Sequence, residues 1–457
     1  MNARNDTDLL GNRTPRGMLR LVLRFALPSI LGAAVISFYN LADAYFVSSL
    51  GKEAGAAVGV SFAIVALLQA IGYTLGIGGG VLISRALGAG RADEATDYAR
   101  VSVRAGFWIG IVILLSGLIL RMPLMGFLGA DDAVAPLAAS YATFLLLSSP
   151  FTVLGFVLSH LLRAEGRVLD STLGLAVGSV LNCILDPICI TRLGLGVAGA
   201  SLATLISQGI AAMLLLLPYL RGKCRVSLLG RNEKAVNRPL LRVLYRGMPS
   251  FFRQGLIVPS TILLNRTLML WGDAAVSAFS SVTRLFLLVF SLCIGVGQGM
   301  MPIVAYNDGC GRRDSVREAF VLSLRLSLVL AFLASLPLLI LSTQLISLFQ
   351  SSQQAVEIGC IALRAQAAVL ILHAPITCTV FLLQALGKGI RATLLACARQ
   401  GLFFIPLILL IPRCFGVEWT IFVQPLADVA TFLLTLPFMI GFLKQTKRCL
   451  TKAVKHL

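Results

Sequence analysis

Twelve runs of apolar residues, each close to the length that crosses a bilayer, recur along the 457-residue chain. They cover about 20–50, 54–84, 101–120, 134–162, 168–191, 197–220, 240–270, 274–306, 316–342, 356–386, 390–412 and 419–443. A spanning helix needs roughly 20 such residues, because hydrocarbon offers backbone amides no partner but one another. Only 13% of the residues are charged, against about 25% in a soluble domain. The pattern predicts an all-α, multi-pass membrane protein. The first 17 residues show no small-residue cleavage site and place polar positions before any apolar run, so no removable signal segment is expected. Ten cysteines stand singly without a CxxC pair. They read as packing residues, not as a disulfide frame or a metal site.

The basic residues fix an expected orientation. Thirty-one fall in the N-terminal segment, the loops after even-numbered spans and the tail, and five fall on the opposite side. Arg253, Arg284 and Arg364 lie within predicted spans. Lys and Arg gather on the cytoplasmic side of short loops, so both termini are expected in the cytoplasm. The net charge of +19 would then face anionic headgroups of the lipid bilayer, and no nucleic-acid partner is expected.

A shift of 221 residues lays the chain on itself. Pro28 and Ser29 meet Pro249 and Ser250, Gly51 meets Gly272, and Gly76 and Gly78 meet Gly297 and Gly299. Gly88, Gly90, Arg91 and Asp93 meet Gly309, Gly311, Arg312 and Asp314, while Ala164 and Gly166 meet Ala385 and Gly387. Matches that cluster at loop punctuation mark an internal repeat. Six spans per half is an even number, so the halves run parallel about an axis along the membrane normal, as in many secondary transporters. The expected architecture is twelve transmembrane helices in two parallel, pseudo-twofold six-helix lobes. The expected division is an N-terminal lobe over 1–221, a basic cytoplasmic linker over 222–239, and a C-terminal lobe over 240–457.

Charged side chains inside hydrocarbon cost at least about 2.5–3.5 kcal/mol on insertion scales, so each is a functional candidate. The stretch GLAVGSVLNCILDPICI, residues 174–190, carries Asn182 and Asp186 four apart, on one face of a helix. Pro187 removes an amide and is expected to push Asp186 away from helical geometry. Asp43 sits in the outer part of the first span, with Tyr39 one turn away and Asn40 beside it. Pro28 lies deeper in that span and is expected to leave it bendable. If Asp43 and Asp186 are close they cannot easily both ionise, which makes them a proton site. With Asn182 and loosened carbonyls nearby, sodium fits as well. Thr204 and Gln208, one turn apart in span six, face the lobe interior or pack helices.

Other features read as structural. GLGVAG at 194–199 matches the dinucleotide fingerprint, but it joins two spans and follows no strand, so a tight turn and close packing are expected. His160 and His373 each stand alone in apolar surroundings with no second ligand at metal spacing, and read as satisfied or packing histidines. Arg253, Gln254, Arg284, Arg364 and Asp428 are expected to balance one another across the second half or to line a substrate path. No nucleophile–base pair, phosphate loop or paired-glutamate arrangement is present, so no catalytic residue, metal or cofactor is expected. The repeat is uneven: Asp43 falls on Leu264, Asn182 on Phe403 and Asp186 on Leu407.

In their order and spacing, several segments resemble the MATE (multidrug and toxic compound extrusion) family. They are PSILGAAVISFYNLADAYFVSSLG in span one, LGAGR after span two, RAEG after span four, the NCILD pair, and GVAGASLAT opening span six. PIVAYNDGCGRRD after span eight is most similar to the bacterial branch. The resemblance implies export of organic cations by proton- or sodium-driven antiport from the bacterial cytoplasmic membrane. It implies a cation site at Asp43, Asn182, Asp186 and Thr204, with Tyr39 beside it. The substrate path is expected along Tyr39, Asn40, Gln208, Arg284 and Asp428, with hinges at Pro28 and Pro187. The chain departs from members with second-lobe acids, having none near Gln254 and Gln366. A monomer is expected. The rival reading keeps the fold and changes the cargo to a lipid or lipid-linked saccharide, whose phosphate Arg253, Arg284 and Arg364 would meet; an intramembrane enzyme and a channel are the remaining alternatives.

Overall fold

The computed structural model describes residues 15–48, 50–228, 236–350 and 352–455, with the side chains of 15, 16, 37–48, 52 and 446–455 outside the described residues. No strand occurs among the described residues. The first half folds as α1 (Pro15–Ser48), α2 (Lys52–Gly88), α3 (Ala92–Ile119), α4 (Arg121–Phe127), α5 (Ala135–Leu147), α6 (Ser149–Ala164), α7 (Val168–Pro187) and α8 (Gly196–Leu220). The second half repeats the series as α9 (Pro239–Gly255), α10 (Ile257–Met269), α11 (Asp273–Gly309), α12 (Arg313–Ile340), α13 (Ser342–Ser347), α14 (Gln353–Val369), α15 (His373–Ala385), α16 (Gly389–Cys397), α17 (Ile405–Phe415) and α18 (Thr420–Lys455).

Among the described residues, ten helical segments are long and apolar enough to cross a membrane, and α5 with α6, bent by 49° at the break between them, makes an eleventh if the pair is one span. The expected seventh span, 240–270, is α9 followed by α10, each shorter than a full crossing. The protein is a multi-pass membrane protein.

The repeat is visible in the backbone. Gly51 and Gly272, which precede α2 and α11, have φ of 113° and 117°; Gly90 and Gly311 have 75° and 73°. A side chain is strained at such angles, so both halves need glycine at the same turns.

Among the described residues, one compact unit holds 34–255 and the other holds 15–33 with 256–455. This grouping differs from lobes at 1–221 and 240–457. The cause is an exchange of first helices. In the first unit α9 lies against α2 so closely that a Cβ on Gly247 would sit 2.0 Å from the Thr74 carbonyl oxygen, and one on Gly78 would sit 2.2 Å from that of Val243. In the second unit the opening of α1 lies against α11: a Cβ on Gly299 would meet the Phe25 backbone at 2.8 Å, and one on Gly295 the Ile30 Cα at 2.6 Å. Small residues let membrane helices approach this closely. The stretch described before Pro239 is tied to the first unit, with Arg167 donating to the Lys223 carbonyl at 2.8 Å and Arg100 to that of Ser227 at 2.9 Å.

Candidate functional site

The described part of the predicted cation site is built by α7 and α8. Asn182 and Asp186, one turn apart on α7, are 2% and 0% exposed, and Thr204 faces them from α8 at 7%. The Asn182 amide satisfies both neighbours when its nitrogen donates to Asp186 Oδ2 at 3.0 Å and its oxygen accepts from the Thr204 hydroxyl at 3.3 Å and backbone amide at 3.1 Å. In the opposite setting its nitrogen donates to Thr204 Oγ1 at 3.3 Å. The Thr204 hydroxyl is 3.1 Å from the Ala200 carbonyl. Three of the four residues expected at this site are therefore joined. The structure places Tyr39, Asn40 and Asp43 on α1, but their side chains lie outside the described residues. The expected meeting of Asp43 with Asp186 lies there too.

One local expectation is corrected. Asp186 is not driven out of the helix by Pro187: α7 runs through both residues, and Pro187 keeps φ −64° and ψ −29°. The chain then widens into a π-helical turn over Ile188–Arg192. The wider turn takes up the hydrogen-bond mismatch created by the absent proline amide, and the Thr191 hydroxyl donates to the Pro187 carbonyl. The glycine-rich stretch that follows is a turn, as expected: Gly194 and Gly196 have φ of 65° and 55°, and a Cβ on Gly199 would lie 2.5 Å from the Cys189 oxygen. Gln208 is half-buried toward α6, its Oε1 4.0 Å from where a Cβ on Gly155 would stand.

The second unit contains a polar group that was not expected. Asp428, fully buried on α18, accepts from Arg399 Nε at 2.8 Å, His373 Nε2 at 3.0 Å and Gln424 Nε2 at 3.0 Å. The Arg399 guanidinium lies over the rings of Phe290 and Phe286, 5.0 and 5.5 Å from their centroids. His373 is thus a satisfied histidine, bonded to Asp428 and packed against Phe286 and Phe290, one of the two roles expected of it, and Arg399 is a charge within a span. The available signal was position: Arg399 falls inside the predicted span 390–412, where a cation needs a partner. Arg284 and Arg364, expected to balance Asp428, are not the arginines that do so; Arg399 is. Arg364 donates to Ser342 Oγ at 2.7 Å, Arg284 is exposed, and Gln254 donates to Gln69 at 2.8 Å within the first unit. His160, against the Tyr73 ring at 5.4 Å, packs as expected.

The family model MatE matches this chain twice, over residues 28–188 and 249–410. This chain belongs to the MATE family. The two matches begin at Pro28 and Pro249, the same pair that opens the internal repeat. The MATE chain is 28% identical over 414 residues to Multidrug export protein MepA of Staphylococcus aureus (strain N315), covering 90% of this chain and 91% of that protein. It superposes with a TM-score of 0.87 on a MATE crystallised in complex with MaL6, 25% identical, covering 95% and 98% of the two chains. A MOP-superfamily transporter from Pyrococcus furiosus shares the fold at TM-score 0.89 and 24% identity, over 96% and 98% of the chains. The twelve-helix, two-lobe fold is thus that of MATE transporters, and the protein is a transporter, not an enzyme.

Proposed function

We propose that this MATE protein exports small organic cations across the bacterial cytoplasmic membrane in exchange for protons or sodium, with both termini in the cytoplasm. The observation that carries the reading is Asp186, fully buried within an apolar span and held by a neutral amide linked to a hydroxyl. A carboxylate there is costly while ionised and becomes cheap when a proton or a cation neutralises it. Its occupancy therefore reports the gradient across the membrane. Family membership and the likeness to a multidrug export protein support the substrate class.

The amide of Asn182 supplies a means of reading that state. An ionised Asp186 requires a donor, so the Asn182 nitrogen turns to it; a protonated Asp186 is itself a donor, so the Asn182 oxygen turns to it and its nitrogen turns to Thr204. The two settings differ in how α7 is tied to α8. Asp43 is the second acid in this proposal, and a bend of α1 near Pro28 is the conformational response. Ion binding selects between two preformed arrangements by its different affinity for each, which is alternating access as a population shift. A charge moving through about 100 mV yields about 2.3 kcal/mol, or roughly a 50-fold gradient. A one-for-one exchange of a proton for a monovalent cation moves no net charge and runs on the pH difference alone.

The test is efflux of a fluorescent cation from proteoliposomes, driven in turn by a pH gradient and by a sodium gradient. Asp186→Asn is expected to lower gradient-driven efflux at least about 100-fold while leaving the detergent-solubilised protein folded. Efflux that continues unchanged in that variant removes the mechanism. Which gradient drives the wild type identifies the coupling ion, and transport of a lipid-linked saccharide in place of the dye would reassign the cargo.

A further inference from the structure

The first unit carries a cavity of about 640 Å³ that the cation site does not use, between the end of α2, the start of α3 and the start of α9. Five arginines line it, Arg85, Arg91, Arg238, Arg242 and Arg246, with Glu94 as the acid of the lining. Glu94 is engaged by Arg91 at 2.9 Å. Arg242 donates to the Tyr98 hydroxyl at 3.3 Å. Guanidinium groups gathered around one cavity repel one another, and a bound anion offsets that repulsion. The guanidinium fork matches the oxygens of a phosphate in a way an ammonium does not.

The repeat does not keep this arrangement of arginines position by position. Under the 221-residue repeat, Arg85 corresponds to Tyr306, Tyr98 to Ala319, Arg242 to Leu21 and Arg246 to Phe25. Arg91 keeps an arginine at Arg312, and Arg238 corresponds to Gly17, so four of the five arginines are not repeated at their own positions. Arg238 also holds a left-handed φ of 50°, a conformation few residues other than glycine adopt. Beside the arginines the lining turns apolar, with Leu82, Ala86 and a half-exposed Leu241, and Tyr245 stands at its edge. Leu82 and Ala86 are buried in the wall and Leu241 is exposed beside Tyr245; tyrosine with basic residues next to an exposed leucine is the composition of a membrane interface. A soluble anion makes no use of that leucine, whereas an acyl chain does.

We infer that this cavity binds the phosphate headgroup of an anionic phospholipid from the adjoining leaflet, its acyl chains lying along the Leu241 side. Basic pockets at helix ends on the cytoplasmic side recognise such headgroups. The site stands on the fold and the surface of one unit and not on the transport reaction; only the naming of the leaflet rests on the orientation proposed above.

Native mass spectrometry of the full chain in detergent tests it, with phosphatidylglycerol and phosphatidylcholine of matched acyl chains as probes. Phosphatidylglycerol is expected to stay bound in preference to phosphatidylcholine, with an affinity that falls as salt rises. Arg238→Gln and Arg242→Gln, both at exposed positions, are each expected to weaken it roughly fivefold, and together roughly 25-fold. Arg312→Gln with Arg313→Gln removes the same charge from the repeat-related turn and is expected to leave binding unchanged. Equal retention of both lipids, or equal losses in the two double variants, overturns the site. Displacement of phosphatidylglycerol by millimolar inorganic phosphate overturns the lipid assignment in favour of a soluble phosphate ester. Because the measurement needs no gradient, a protein that fails to move cations can still pass it, and the reverse.

Discussion

Two carboxylates are fully buried among the described residues, Asp186 in the first unit and Asp428 in the second, and the partners described for them differ in charge. Asp428 is met by the guanidinium of Arg399, the imidazole of His373 and the amide of Gln424. Its counter-ion is part of the chain. Asp186 is met by the neutral amide of Asn182, itself linked to Thr204. Burying a charge is tolerable only when something compensates it. Asp428 carries its compensation permanently, so an arriving cation would have to displace a tethered one. On the proposed reading Asp186 takes its compensation from solution, which makes it switchable. On that reading burial alone does not mark a coupling site; the charge of the partners built into the chain does. The 221-residue repeat sharpens the point: Asp186 falls on Leu407 and Asp428 on Ser207, so each half has placed its own acid at a different site on the same scaffold.

The largest effect is expected where that compensation is cut. Arg399→Met keeps much of the side-chain length and removes the charge, leaving Asp428 buried against a neutral imidazole and an amide. Breaking a buried pair from one side costs about 3–5 kcal/mol, read as a fall in thermal unfolding temperature of the detergent-solubilised protein. Adding Asp428→Asn is expected to restore more than half of the loss, because no uncompensated charge then remains. If the single variant is as stable as the wild type, Asp428 does not depend on Arg399 and the contrast between the units collapses. If the single variant instead gains a dependence on pH or sodium, the second unit has been converted to the first unit's chemistry.

A smaller effect is expected at Asn182. Asn182→Leu approximately keeps the volume, removes the donor to Asp186 and cuts the link to Thr204. A buried group that loses its hydrogen-bond partner costs about 1–3 kcal/mol, which corresponds to roughly fivefold to 150-fold in efflux rate. If Asn182 acts through Asp186, efflux by Asn182→Leu in an Asp186→Asn background is no worse than by Asp186→Asn alone, since coupled residues do not add. Additive losses would show that Asn182 acts elsewhere. The matching cycle with Gln424→Leu and Asp428→Asn, read as thermal stability, is expected to give a smaller coupling, because Arg399 and His373 still hold that carboxylate.

Much of this was legible in the sequence, and for a physical reason. Hydrocarbon imposes helices of fixed length and makes every intramembrane charge conspicuous, so the spans, the repeat and the pairing of Asn182 with Asp186 follow from spacing alone. Thr204 came only from the family resemblance, since its position alone left a lobe-facing and a helix-packing role open. What spacing could not give was the partner of Asp428. His373 and Arg399 lie 55 and 29 residues from it, and only the packing of α15 and the π-helical turn over Ala398–Phe404 against α18 brings them together. The proline at 187 misled for a related reason: its local rule is sound, but an apolar span that keeps its backbone bonded can widen into a π turn more cheaply than it can unwind. The exchange of first helices was equally hidden, because Gly78, Gly247, Gly295 and Gly299 look like any helix-packing glycines until their neighbours are known.

A third acid extends the comparison to the rim of the first unit, outside the spans. Glu165 follows α6 and accepts from the backbone amides of Arg225 and Val226 at 2.6 and 3.2 Å, tying the linker down. Burial pushes its carboxyl above the ordinary glutamate range, while the hydrogen bonds from Val226, Tyr219 and Arg225 and the charge of Arg167 pull the other way without cancelling it. A carboxyl whose value is raised in the docked state favours docking when protonated. The tie is therefore fully present below the ordinary value of about 4.3, and it is lost as pH rises through the raised value. Amide exchange at 223–227 is expected to quicken over that window, by about fivefold at most given that a partly exposed charged contact is worth about 0–1 kcal/mol. Glu165→Gln holds the neutral shape at every pH and should flatten the curve at its slow end. Exchange that slows with rising pH relative to the intrinsic rate would mean that the ionised carboxylate holds the linker more tightly, which would place Glu165 with Asp428 among the permanently compensated acids.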